Sequence, residues 1–249
     1  MSTPPGPVIV GVGDEPYADD AIALGTALAA LLNAPVEQVA VPGHDPAAVL
    51  GTSAAHDRAA MIVLGPTHHH LLRTLRGTAR HLIGGATCPV AVAPAGYAGA
   101  APTELRRVGV GLEPTPEAAC ALDVAHELAA RAGGSLVVLG VALPLAPFAI
   151  DDGRDQTPYL DAERKTVQDG LERELARLAG DVPCRAEARI GSPAGELIEL
   201  SREVDLLVCG SRGRGALRAA TVGSVTERLL RYAECPVVIV PRATSSLGA

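Results

Sequence analysis

Aromatic side chains are nearly absent: the 249 residues include no Trp, one Phe and four Tyr. A core of ordinary density must therefore be built from aliphatic side chains, and the chain is rich in Ala, Val, Leu and Gly. Metal-binding and disulfide patterns are missing too. The five cysteines, Cys88, Cys120, Cys184, Cys209 and Cys235, form no CxxC pair, and no His/Cys group has zinc-finger spacing. An odd, scattered set, some of it beside or within apolar runs, reads as small core hydrophobes in a reducing compartment. There is no basic excess. The formal net charge is −7 at pH 7, which argues against a nucleic-acid-binding face. No apolar run reaches the length of a membrane span, and Met1–Pro7 has neither the basic nor the apolar region of a secretory signal. The expectation is a cytoplasmic chain with no nucleic-acid and no membrane partner.

What the sequence does contain is alternation of short apolar runs with longer amphipathic ones. Strands are expected at Val8–Val12, Val36–Val41, Met61–Leu64 and Cys88–Pro94, with helices at Ala18–Leu32, Pro46–Ala55 and Leu71–Ile83. In the second half strands are expected at Arg107–Gly111, Ser135–Ala142, Cys184–Ile190, Leu206–Cys209 and Val237–Val240. Helices fall at Pro116–Ala132, Leu160–Leu178, Pro193–Arg202 and a segment ending at Arg231; Leu143–Tyr159 reads as a long loop. Such alternation gives an α/β fold with parallel sheets covered on both faces and right-handed crossovers. The length suits two domains, assigned to residues 1–95 and 106–249, with the Pro- and Gly-bearing stretch 96–105 as linker.

The two halves repeat each other. Ala86–Pro94 mirrors Ala233–Pro241, each with Cys-Pro followed by an apolar run, and Pro46-Ala47 mirrors Pro193-Ala194. Val10-Gly11-Val12-Gly13 is set against Val108-Gly109-Val110-Gly111. The first half is shorter, and its sheet is expected to have one strand fewer. Both halves end in a short apolar strand, Val90–Val92 and Val237–Val240, which invites pairing within one chain. A monomer with internal pseudo-twofold symmetry and a dimer of such chains both remain open.

The second half carries the candidate site. The buried run Leu206–Cys209 feeds Gly210-Ser211-Arg212-Gly213-Arg214-Gly215, and Gly223-Ser224-Val225 opens a helix. Glycines let backbone N–H groups approach an anion closely, a helix start offers unpaired donors, and Arg212 and Arg214 add positive charge. The first half has His68 where the second has Gly213, and its loop to Gly77-Thr78 is one residue shorter. Its run His68-His69-His70 does not make a metal site, because adjacent side chains point in different directions. No metal site is assigned, and a solvated polar loop is the reading for the three histidines.

The spacing Gly210-x2-Gly213-x9-Gly223-Ser224, between a strand and a helix and followed by Cys235-Pro236-Val237, resembles the ATP-binding signature of the universal stress protein family. The resemblance covers roughly residues 106–242. It implies two tandem doubly wound domains of the Rossmann-like, adenine nucleotide alpha hydrolase-like type, the first one shortened and degenerate. It also implies ATP or another adenine nucleotide as ligand, with or without magnesium. The site residues carried over are Val110, Gly111, Val141, Cys209, Gly210, Arg212, Gly213, Arg214, Gly223, Ser224 and Val225. Val141 would flank the base and Cys209 would lie beneath it. One departure stands out. The family has an Asp at the end of the first strand, on the nucleoside side, and the positions set against it here are Gly111 and Gly13.

Three functions follow as alternatives. The first is a nucleotide-binding regulatory protein of the stress response, with at most weak ATP hydrolysis. The second is a scaffold or partner-binding protein that has lost its ligand. An enzyme is the least supported: there is no Gly-x-Ser-x-Gly elbow, no Walker Gly-Lys-Ser/Thr, and no general base in the loop.

Overall fold

The computed structural model describes residues 5–13, 18–41, 46–66, 73–113, 119–144, 157–211, 223–241 and 247, with backbone alone at 73–78. The first half supplies β1 (Val8–Val12), α1 (Ala18–Leu32), β2 (Val36–Ala40), α2 (Pro46–His56), β3 (Met61–Leu64), α3 (Arg73–Gly85) and β4 (Val90–Val92). A one-turn helix, α4 (Tyr97–Ala100), leads to β5 (Arg107–Gly111), α5 (Ala119–Arg131), β6 (Ser135–Ala142) and α6 (Thr157–Leu175). Then come β7 (Cys184–Ile190), α7 (Pro193–Leu200), β8 (Leu206–Gly210), α8 (Ser224–Tyr232) and β9 (Val237–Val240).

The strands form one nine-stranded sheet in the order β2-β1-β3-β4-β9-β8-β5-β6-β7. Every pairing is parallel except the central one, where β4 meets β9 antiparallel with Val90 opposite Ile239 and Val92 opposite Val237. Four of the described strands come from the first half and five from the second. The first half has no described counterpart of the β7 edge, nor of the α6 helix that packs on it.

Strand alternation divides the core into two layers. Val8 and Val10 join Leu24, Leu28, Val108, Val110 and Leu128 on the α1/α5 face. Ile9 joins Leu50, Ile62, Leu197, Leu200 and Leu207 on the α2/α7 face. Both layers run across both halves, as a sheet buried on two faces requires. The aliphatic core carries almost no aromatic rings; Tyr97 is buried within it.

Element ends shift by a few residues from the sequence reading, and three differences bear on the argument. First, α6 begins at Thr157, inside the stretch read as loop. Pro158 does not obstruct it, because the first turn of a helix needs no amide donor there. The rest of that stretch, 145–156, lies outside the described residues. Second, the segment read as linker contains α4. Asp20, buried on α1, accepts from the amides of Gly96 (2.9 Å) and Ala98 (2.8 Å), a long-range cap with no signature in the local sequence. Third, the internal repeat is offset. β1 pairs with β3 as Val8 opposite Met61, and β5 with β8 as Val108 opposite Leu206. The counterpart of Gly111 is therefore Gly11, two residues before the Gly13 set against it by pattern. The Val-Gly-Val motif in both halves had fitted a shifted alignment equally well.

Candidate functional site

The carboxyl ends of β5, β6 and β8 lie side by side. Gly111 is in register with Leu139 of β6 and with Cys209 of β8. The next amide, Leu112 N, donates to the Leu139 carbonyl at 2.9 Å and continues the row. Val110 and Cys209 are buried, and Gly111, Val141 and Gly210 are half-buried. Open α/β sheets bind ligands at this edge, outside the strand carboxyl ends.

The end of β8 is tied to the start of α8. Ser211 N donates to the Val240 carbonyl at 3.0 Å, and Gly223 N donates to the Ser211 carbonyl at 3.3 Å. The Thr226 hydroxyl donates to the Gly210 carbonyl at 3.4 Å. Gly223 is an extended N-cap (φ −66°, ψ 151°) without a side-chain hydrogen bond, and Glu227 N closes the first helical bond onto its carbonyl at 3.0 Å. The leading amides of Ser224, Val225 and Thr226 thus have no capping side chain among the described residues. They stand beside Gly210, where a helix dipole favours negative charge. Ser224 is exposed and Val225 half-buried. Arg212, Gly213 and Arg214 lie outside the described residues, as do Thr67–His70 of the first half.

Thr226 was not singled out in the sequence. It is buried, and its hydroxyl both bonds the strand end and faces the Cys209 thiol. Its signal was a hydroxyl one turn into a helix opened by Gly-Ser. Burial pushes the Cys209 thiol up to about 12 despite the Thr226 hydroxyl, so it stays protonated at neutral pH.

The carboxyl end of β5 is apolar. A Cβ on Gly111 would sit 2.8 Å from Leu197 Cδ2, so Leu197 of α7 fills the space where the family's Asp would begin. The first half repeats the device: a Cβ on Gly11 would sit 2.9 Å from Leu50 Cδ1. Arg189, in register with Val141, is already neutralised. Its guanidinium lies 2.7 Å from Glu187, 3.0 Å from Glu203 and 3.9 Å from Glu196. Burial works against its charge, and the Glu187 and Glu203 carboxylates more than offset that. The residues present therefore fit a phosphate tail at α8, and Gly111 itself brings no carboxylate for a nucleoside; Glu113, two residues on, is the nearest acid along the chain. Among the described residues no three His, Cys, Asp or Glu side chains are grouped to hold a metal, and no helix is long and apolar enough to cross a membrane.

A concavity of about 870 Å³ lies elsewhere, between α2 and α3 of the first half. Ala55, Gly85 and Thr87 line it. The matching place in the second half is bridged by Arg202, which pairs with Glu199 and, at 2.7 Å, with Glu234.

Residues 104–241 match the family model described as the universal stress protein family. A universal stress protein of Mycobacterium tuberculosis is 32% identical over 192 residues, 74% of this chain and 62% of the relative. The chain thus spans less than two thirds of that relative's length. A Pseudomonas aeruginosa structure assigned to the universal stress proteins superposes with a TM-score of 0.64 at 13% identity, covering 95% of this chain and 93% of that one. A universal stress protein of Archaeoglobus fulgidus gives 0.57 at 17% identity, covering 94% and 86%. At those identities the likeness is one of fold.

Proposed function

Because the chain belongs to the universal stress protein family, we propose that it is a nucleotide-binding regulatory protein whose ligand site lies at the carboxyl ends of β5 and β8. The observation that carries this reading is the closure of Gly223 onto Ser211, which sets the uncapped start of α8 beside Gly210. Gly210, Gly223, Ser224 and Val225 would hold the phosphate oxygens of ATP or another adenine nucleotide, with Arg212, Gly213 and Arg214 completing the cradle as the sequence resemblance implies. Val110, Val141 and Cys209 would form the apolar wall behind the base. Magnesium, if the ligand brings it, rides on the phosphates. The role is regulatory: arginine and serine bind charge but do not draw a proton from water, and the Cys209 thiol is no nucleophile. The pairing of Val90–Val92 with Val237–Val240 supports treating the two halves as each other's partner.

The packing of Leu197 on Gly111 favours a second reading, a partner-binding scaffold without nucleotide. A lost hydrogen bond to a charged group is worth about 1.5–3 kcal/mol, or roughly tenfold or more in affinity. Mass spectrometry of the small molecules released on denaturation, with melting scans in added ATP, separates the two. Release of an adenine nucleotide, or a rise of the melting temperature with ATP, is expected. An empty protein with an unmoved transition establishes the scaffold instead.

A further inference from the structure

The sheet ends in two free edges, and they are treated differently. At β7, Leu136 N donates to the Pro183 carbonyl (2.9 Å) and Gly191 N to the Ala142 carbonyl (3.0 Å). That phase turns the backbone groups of Arg185, Glu187 and Arg189 toward β6 and those of Cys184, Ala186, Ala188 and Ile190 outward. Helix α6 packs on this strand, and Gln168 Nε2 donates to the outward Ala186 carbonyl at 3.3 Å. One outward carbonyl of the β7 edge is thus already bonded.

At β2, Val8 N donates to the Pro35 carbonyl (2.8 Å) and Val41 N to the Val12 carbonyl (2.9 Å). Glu37 and Val39 therefore bond inward to β1, and the amides and carbonyls of Val36, Gln38 and Ala40 face outward. Among the described residues no side chain bonds them, and Val36, Glu37, Gln38 and Ala40 are exposed. In the second half the equivalent strand, β6, is covered by β7. An uncovered edge is a template for another strand.

We propose that this edge is a self-association surface, with β2 pairing antiparallel to β2 of a second copy about a twofold axis at Gln38. Gln38 then opposes Gln38 of the partner subunit, and Val36 opposes Ala40 of the partner subunit. The outward groups of each such pair exchange both hydrogen bonds. Glu37 faces Val39 of the partner subunit, so no like charges meet. A slip one way sets Glu37 against Glu37 of the partner subunit, which disfavours that register. An isologous contact of this kind closes at a dimer. Each copy carries −7, so added salt should tighten it.

Sedimentation velocity on the full chain tests the proposal. The wild type should sediment at twice the 25.3 kDa chain mass, and more completely as salt rises. Gln38→Pro removes one outward amide and places a ring on the rim without touching the β1 ladder, so it should sediment at the chain mass with an unchanged far-ultraviolet spectrum. In a separate variant, Gln38→Cys, the facing Cα atoms lie about 5.5 Å apart, and a short bis-maleimide should join the two thiols into a covalent dimer that wild type, with its native Cys184, does not form. A monomeric wild type overturns the proposal. So does a Gln38→Pro chain that stays dimeric, or a Gln38→Cys chain that does not cross-link; the last arm decides even if the proline variant fails to fold.

Discussion

At the scale of single residues the decisive pair is Gly111 and Leu197. The missing carboxylate was legible in the sequence, because the strand end reads Val110-Gly111 and has no acid. What fills its place was not legible, since Leu197 reaches Gly111 only through the crossover of α7 over the sheet. Gly111→Asp restores the acid. Its backbone is ordinary strand, and the obstacle is the far end of one flexible side chain. We expect ATP affinity to rise about tenfold in calorimetry, at a stability cost of about 1–3 kcal/mol from crowding Leu197. Unchanged affinity would mean that no nucleoside approaches β5. The thiols make a separate prediction. Burial pushes Cys88 up to about 11 and Cys209 and Cys235 up to about 12. Groups raised in the folded state stabilise it fully below their unfolded pKa of about 8.5. That contribution drains away as pH climbs from there toward the folded values. Melting temperature should therefore fall on the alkaline side, and Cys209→Ala should flatten the slope even though its baseline is lower. At neutral pH iodoacetamide should modify the exposed Cys184 well before these three.

Among the elements, strand and helix positions were the most readable feature, because apolar runs with Gly and Pro at their ends leave few alternatives. Val8–Val12, Ala18–Leu32, Ser135–Ala142 and Cys184–Ile190 lie where periodicity put them. The ends drawn by distant partners were not readable: α4 depends on Asp20, and the repeat's true offset depends on strand register. Helix interiors hide a similar contrast. Gly51 of α2 borders the small-residue concavity, and a Cβ there would meet only Leu82 Cδ2, at 3.8 Å. Gly25 of α1 lies against the sheet, and a Cβ there would overlap Val10 Cγ2. Both sites gain about 1 kcal/mol of helix propensity from alanine. Gly51→Ala should therefore raise the melting temperature by about 2–4 °C. Gly25→Ala should lower it, since overpacking typically costs about 1–3 kcal/mol. Scanning calorimetry of the two variants side by side checks the sign; like signs would show that packing at these helices is not what separates them.

For the whole molecule the question is whether two similar halves make two units or one. The paired Cys-Pro motifs were legible, and so was an apolar strand closing each half. The cross-links between the halves were not, because they join positions with no sequence relation. Arg131 on α5 donates to the Leu32 carbonyl at the end of α1 (3.2 Å) while also pairing with Glu127, and Glu127 accepts the amide of Leu247, a buried residue near the C-terminus, at 3.3 Å. Asp20 holds the start of α4, β4 is zipped to β9, and both core layers pass from one half into the other. Opening either half alone would expose the Val90–Val92 or Val237–Val240 rim and cut through both layers. We therefore expect one calorimetric transition, with calorimetric and van't Hoff enthalpies in agreement. A consequence reaches the proposed site. A ligand held only by the second half stabilises every segment that unfolds with it, by about 2.7 kcal/mol at a hundredfold excess over its dissociation constant. Hydrogen exchange should then slow with saturating ATP at Ile9, Val10 and Ile62, deep in the first half, as much as at Val208. Slowing confined to β5, β8 and β9 would show two independently melting units joined only at the β4–β9 seam.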